Sequence, residues 1–521
     1  MPTNEESYFV LRSLADIPRM HAANTPKAVA ISFEGRETSY SDLQDKSTRV
    51  ANGLRAAGIK AGDRIAVLDK NSDRFFEIWL GAAKLNAVIV PINARLAGPE
   101  IEYVLNDAHI RVLFIGDLFV DLIKKIGPQL QTVERVIVIN EQYVEWRDQQ
   151  SNEDKRVESN DDDVCLQLYT SGTTGHPKGV QLTNRNVLGS LPQTLKSWGE
   201  WSARDIALVA MPLFHIAGCG TGLICLLGGL RFVLVRDFVP ADIIKLIERE
   251  RVSVTFLVPA MILGLLNDPA IKNANLSSLR RIVYGASPIP LELLKKAVAT
   301  FKAAGFVQIY GLTETTGGVT VLTIEDHVNA DAQRLRSCGK PIEGVTIQIR
   351  DIDGQVAPVG EVGEIVCRTI KNMKGYWNRD LDTKRAIRDG WFYTGDAGYL
   401  NEHGYLFIHD RVKDMIVSGG ENIYPAEIES ALYGHEEIVD IAVIGVPDEK
   451  WGEAVKAIIV RKPGSKISAD EILTFARERL AGYKLPKSID FVDVLPRNPT
   501  GKILKRELRE KYWRGYERRV N

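Results

Sequence analysis

Tyr169-Thr-Ser-Gly-Thr-Thr-Gly-His-Pro-Lys-Gly179 sets four small hydroxyl side chains, three glycines and one lysine within eleven residues, directly after an apolar run at 164–168. The apolar run predicts a buried strand. Glycines let the backbone turn tightly and bring N–H groups close to an anion. The hydroxyls of Thr170, Ser171, Thr173 and Thr174 donate to phosphate oxygens, and Lys178 adds a positive charge. The segment predicts a phosphate-gripping loop. It is not a Walker A loop, because Pro177 stands where that motif needs glycine and Gly179 where it needs Ser or Thr.

Around this loop, Val- and Ile-rich runs alternate with amphipathic stretches. Runs at 28–33, 64–68, 87–92, 111–115, 135–139, 252–258 and 281–284 predict strands, while 41–57 and 241–249 predict helices. Such alternation predicts α/β architecture with largely parallel, doubly covered sheets. From about residue 339, glycine-containing turns recur every ten residues or so, which predicts a β-rich portion. Asp410-Arg-Val-Lys-Asp414 separates a strand at 405–408 from a new block. That block predicts helices at 426–432 and 469–481 and strands at 441–444, 457–460 and 489–494. The expected division is a large N-terminal domain, 1–410, and a small α+β C-terminal domain, 411–521.

A chain of 521 residues exceeds what one hydrophobic core usually supports. With 66 Lys and Arg against 67 Asp and Glu, no net field recruits nucleic acid or an anionic membrane. Five cysteines without a CxxC pair predict reduced thiols in the cytoplasm. Residues 206–230 carry no Asp, Glu, Lys or Arg, but Pro212 and five glycines interrupt them. They predict a buried strand, a turn and a buried helix rather than a membrane span.

Tyr310-Gly-Leu-Thr-Glu-Thr-Thr316 gathers small polar residues around Glu314. Beside nucleotide phosphates Glu314 is a natural Mg²⁺ ligand, and Tyr310 could stack on a base; alone, the cluster reads equally as a surface turn. Tyr393-Thr-Gly-Asp396 places an acid after a tight turn, where a carboxylate can accept from both ribose hydroxyls, though TGD by itself is more often just a turn. His215 in Met211-Pro-Leu-Phe-His215 reads alone as a satisfied core histidine, and Lys502 in Asn498-Pro-Thr-Gly-Lys502 as a solvated lysine. From Lys502 to Arg519, eight Lys and Arg outnumber three acids, so the tail suits either a solvated helix or weak peripheral contact with anionic lipid.

In this order, these segments together with Asp410-Arg-Val-Lys-Asp-Met-Ile-Val-Ser-Gly-Gly420 resemble the adenylate-forming enzymes, specifically the acyl-CoA synthetases, from about residue 13 to residue 512. The resemblance implies a mobile C-terminal domain and ATP, Mg²⁺ and coenzyme A as reaction partners. A carboxylate attacks the α-phosphate of MgATP to give an acyl-adenylate and pyrophosphate, and a thiol then displaces AMP.

It further implies roles by position. Thr170 and Glu314 hold Mg²⁺, while Ser171, Gly172, Thr173, Thr174, Gly175 and Lys178 grip phosphate. Gly285, Ala286, Ser287 and Tyr310, flanked by Gly311 and Thr313, line the adenine pocket. Asp396 binds ribose with Arg411 nearby. Lys502 bridges carboxylate and α-phosphate, Lys413 is the hinge, and Gly419 and Gly420 reach the CoA channel after rotation. His215 moves from core to active site.

The expected acyl lining, 214–222 with 311–318, is glycine-rich and free of cations, which favours a medium- or long-chain fatty acid. Aryl acids of the benzoate or cinnamate type, and delivery to a carrier protein, are the alternatives. A homodimer is left open.

Overall fold

The structure is a computed structural model that describes residues 11–170, 177–328, 331–411, 414–418, 421–448, 450–497 and 503–514, leaving aside the side chains of 409–411 and 421–422. Two large sheets form the N-terminal part. In the seven-stranded sheet, Val164–Thr170, Val88–Pro91, Arg64–Leu68, Ile110–Ile115 and Arg135–Val138 run parallel, as their buried Val and Ile content requires. Lys178–Thr183 and Gly375–Tyr376 extend it antiparallel at one edge.

The nine-stranded sheet has a parallel centre running from Gly305–Leu312 through Arg281–Gly285, Val254–Leu257, Ile206–Val209 and Arg231–Leu234 to Val29–Phe33. Both of its edges are antiparallel. The sheets are therefore mixed, because tight connections such as those joining 164–170 to 178–183 and 305–312 to 317–322 allow only antiparallel return.

One core cluster spans both sheets and includes the helix Arg74–Ala83, whose Phe76 meets Phe232 of the other sheet at 5.3 Å. The β-rich portion is an antiparallel sheet of Thr346–Arg350, Gly363–Arg368, Trp391–Leu400, Ile387–Arg388 and Leu406–Arg411.

The last sheet holds Ile416–Ser418, Glu421–Ile423, Ile438–Asp448, Gly452–Arg461 and Ser488–Phe491. Its core draws only on residues from 416 onward, among them Ile416, Ile428, Leu432, Val443, Ile459 and Ile472. The helix expected at 469–481 ends at Arg477, ahead of a Gly482–Lys484 turn and Pro486. The strand expected at 405–408 runs on to Arg411.

Segment 206–230 folds as the strand Ile206–Val209 and the buried helix Ile216–Leu227; among the described residues, no helix is long and apolar enough to cross a membrane. All five cysteines are buried and unbridged. In the basic tail, the helix Lys505–Trp513 docks on its own domain through Lys505–Glu429 (2.8 Å) and Arg509–Asp414 (2.6 Å).

Candidate active site

The expected phosphate loop joins two antiparallel strands whose last pair is Thr170 opposite Lys178. Residues 171–176 lie outside the described residues, and with them the expectations for Ser171, Gly172, Thr173, Thr174 and Gly175. Lys178, at the loop's far foot, places its Nζ 3.1 Å from Asp382 and 5.3 Å from the ring centre of Tyr376. Tyr376 is brought there because Gly375–Tyr376 pairs with the lysine's own strand. Its hydroxyl donates to Glu314 Oε1 at 3.0 Å. Met373 N–H donates to the Glu314 carbonyl at 2.7 Å, fixing that turn. Lys178 and Glu314 thus converge on one tyrosine, a cation and an oxygen ligand around the same space.

Among the residues expected to receive nucleotide, two meet directly. Tyr310 donates its hydroxyl to Asp396 Oδ2 at 2.7 Å, and Asp396 is 5% exposed. Gly285 lies opposite Ile309, and a Cβ there would stand 2.1 Å from the Ile309 carbonyl oxygen, so no side chain fits. Ala286 follows with φ 65°, a left-handed backbone that a non-glycine residue holds only under constraint from its surroundings. At Gly311 an added Cβ would fall 1.9 Å from the Gly317 oxygen. Thr313 opens the short turn Thr313–Thr315, whose end is fixed by Thr316 N–H donating to Thr313 O at 3.0 Å. Ser287 is half-buried beside Ala286. The backbone of Arg411 pairs with Asp396.

His215 caps the helix Ile216–Leu227 with extended backbone. Asn71 shapes the preceding turn, donating to Met211 O (3.0 Å) and accepting from Leu213 N–H (2.9 Å). The Nε2 of His215 is buried without a hydrogen-bond partner. Burial, with a smaller contribution from Arg95, pushes the imidazole down to about 4, so it is neutral at physiological pH.

Beyond it opens a cavity of about 100 Å³. Its wall includes Ile216, Ala286, Gly311 and Gly317 together with Trp79, Trp198 and Phe256. The helix Asn184–Ser197 contributes Val187, Leu191 and Thr194. Gly220 lines the cavity, but Gly218 and Gly222 do not. A Cβ at Gly218 would meet Pro212 O at 2.1 Å and one at Gly222 would meet Phe76 at 2.3 Å, so these two glycines serve packing. Cys219 is fully buried away from the lining.

Lys413, Gly419, Gly420 and Lys502 lie outside the described residues. Sequence reading passed over Tyr376, Asp382, Arg95 and the wall formed by Trp79, Leu191, Trp198 and Phe256. Only Tyr376, in Met373-Lys-Gly-Tyr376, carried a local signal, a glycine-tyrosine pair after a strand. The others are ordinary residues until the fold assembles them.

The AMP-binding enzyme family matches residues 19–377, and the AMP-binding enzyme C-terminal domain matches residues 427–502. The chain is 39% identical over 515 residues to the fatty acid–[acyl-carrier-protein] ligase ScoC of Streptomyces coeruleorubidus, covering 98% of each. It is also 39% identical over 504 residues to a feruloyl-CoA synthase of an Amycolatopsis species, covering 96% of this chain and 99% of that one. Among solved structures, ATP-bound MatB from Rhodopseudomonas palustris superposes with a TM-score of 0.89 at 30% identity, covering 96% of this chain and all of the other.

Proposed function

The chain belongs to the AMP-binding enzyme family, and as an AMP-forming acid–thiol ligase of that family we propose that it activates a compact apolar carboxylic acid through an acyl-adenylate and passes it to coenzyme A. The observation that carries this reading is the position of the apolar cavity. Gly311, Ala286 and Gly317 line it, and Gly311 directly follows Tyr310, whose hydroxyl meets Asp396. An acid seated there presents its carboxylate to the nucleotide and its tail to Trp79, Trp198 and Phe256. The volume narrows the acid. An apolar cavity of about 150 Å³ encloses a benzene, and this one is somewhat smaller, at about 100 Å³. A short or medium acyl chain therefore suits it better than a long chain, and an aryl ring enters only if the wall gives way.

Free carboxylates acylate poorly because oxide would have to leave, whereas AMP leaves as a stable anion. The protein's task is to neutralise phosphate charge and align the attack. MgATP is a substrate here, and Glu314 and Thr170 offer Mg²⁺ the carboxylate and hydroxyl oxygens that a hard cation prefers, phosphate oxygens completing its shell. Lys178 with the 171–175 loop grips phosphate. Gly285, Ala286, Ser287 and Tyr310 receive adenine, and Asp396 with Arg411 the ribose. Neutral His215 offers the substrate carboxylate a hydrogen bond without an added charge. Lys502 supplies the charge bridging carboxylate and α-phosphate, then withdraws as the C-terminal domain, 411–521, turns at Lys413 and brings Gly419 and Gly420 to the thiol path. Five buried, unbridged thiols suit the cytoplasm.

The likeness to ScoC supports a second acceptor, a carrier-protein thiol, since it spans 98% of both chains. Exchange of labelled pyrophosphate into ATP across a panel of acids tests activation. Thioester formation with coenzyme A, against a phosphopantetheinylated carrier, tests the acceptor. Absence of exchange with every acid would overturn the proposal.

A further inference from the structure

Resting on the ligase reading above, we propose that Asp107 is a positioning residue for adenylation. From the face of the sheet turned away from Thr170 and Lys178 it fixes the strands that carry them, and so governs the hold on the pyrophosphate end of ATP. Asp107 ends the helix Gly98–Asp107. Its Oδ2 accepts from the Tyr169 hydroxyl at 2.6 Å, and its carbonyl accepts from the Trp377 indole N–H at 2.7 Å. Tyr169 stands opposite Gly179, and the Trp377 backbone N–H donates to the Gly179 carbonyl at 2.7 Å. Tyr103, one turn earlier on the helix, reaches the residue before Lys178. Its hydroxyl accepts from Arg379 at 2.8 Å and lies 3.3 Å from both the Pro177 carbonyl and Asp107 Oδ1.

Strand geometry separates this anchor from the phosphate side. Side chains alternate between faces along a strand, and residues directly opposite share a face. Tyr169, Gly179 and Trp377 therefore belong to the Asp107 face. Thr170, Lys178 and Tyr376 belong to the other, where Lys178 meets Tyr376 and Asp382. Gly179 leaves room for the anchor. A Cβ there would stand 2.6 Å from Gln167 Nε2 and 3.1 Å from the Tyr169 ring, so the tyrosine crosses the space of a missing side chain to reach the carboxylate. Arg64 packs on Trp377 with its guanidinium carbon 3.5 Å from the ring centre. Thr170 and Lys178 are each one peptide from an anchored residue, so a shift of the anchor passes directly to the hydroxyl and the ammonium. AMP and acyl-adenylate carry no β- or γ-phosphate, so their binding should not depend on Asp107.

Three variants test this. Tyr169→Phe deletes the hydroxyl that meets Asp107, Asp107→Ala deletes the carboxylate, and Asp107→Asn keeps an acceptor in its place. Kd is measured by calorimetry for pyrophosphate with Mg²⁺ and for AMP, and kcat/KM for ATP by pyrophosphate release. Tyr169→Phe and Asp107→Ala should each weaken pyrophosphate binding about tenfold, equivalent to about 1.4 kcal/mol, and lower kcat/KM for ATP by a similar factor. Kd for AMP, and the rate of thioester formation from supplied acyl-adenylate, should stay within about twofold of wild type. Asp107→Asn should restore pyrophosphate binding to within about threefold. Should Asp107→Ala not fold, Tyr169→Phe decides alone. Unchanged pyrophosphate binding, or equal losses for pyrophosphate and AMP, would overturn the proposal and leave the ligase reading intact. Silence of the wild type with every acid sinks both.

Discussion

Glu314 and Lys178 meet at Tyr376, and this contact separates what single atoms do. Tyr376→Phe keeps a ring beneath Lys178 but removes the bond to Glu314, so adenylation should fall by roughly tenfold, the lower end of what one hydrogen bond to a charge contributes. Glu314→Gln should lower it by about a hundredfold or more, because a metal ligand is lost where charge develops. Both are read by pyrophosphate release under saturating acid. Equal effects would sink the ligand role.

Asp396→Ala should raise KM for ATP by about ten- to a hundredfold, with little change in KM for the acid. His215 gives a pH prediction. Its folded value near 4 lies below the ordinary value of 6.5, so above pH 6.5 both folded and unfolded forms are neutral and the residue adds no pH dependence. As pH falls from 6.5 towards 4 only the unfolded chain binds the proton, and stability is lost. His215→Asn removes this loss, so its stability relative to wild type should rise by about 2 kcal/mol from pH 7 to pH 5 in urea unfolding. A constant difference would refute the buried, neutral assignment.

The helix Ile216–Leu227 puts two glycines only two residues apart, on roughly opposite faces, to different uses. Gly222→Ala drives a methyl into Phe76 and should cost about 1–3 kcal/mol of stability. At Gly220 an added Cβ meets only Ile216, at 3.8 Å, so Gly220→Ala should leave the thermal midpoint the same or higher while narrowing the acid range. The opposite ranking would show that the helix does not border the cavity as described.

This contrast also marks the limit of the sequence. Strands declared themselves through Val and Ile runs, and the expected phosphate loop stood out by glycines and hydroxyls that have few other uses. Glycines 218, 220, 222, 317 and 318 looked alike, since a missing side chain does not say whether backbone, ring or substrate fills its place. Trp79, Trp198 and Phe256 were illegible for the converse reason. Large apolar residues are the default filling of any core, and only the meeting of two sheets and a helix leaves a void against these three.

At the scale of the whole molecule, the segment from 416 onward has its own core, so it can be repositioned without unmaking the N-terminal sheets. A division of labour follows. Lys502→Ala should depress adenylation at least a hundredfold while sparing thioester formation from supplied acyl-adenylate. Gly420→Leu should do the reverse. Equal loss of both half-reactions in either variant would refute rotation.

Asp382 adds a quieter consequence. With Lys178 as the phosphate grip, a carboxylate already sits on that lysine when nucleotide arrives, so an incoming anion is favoured only by the margin between two rivals for the same cation. The departing pyrophosphate finds a successor waiting behind it. Such an enzyme gives up tightness of hold and is ready sooner for the next cycle.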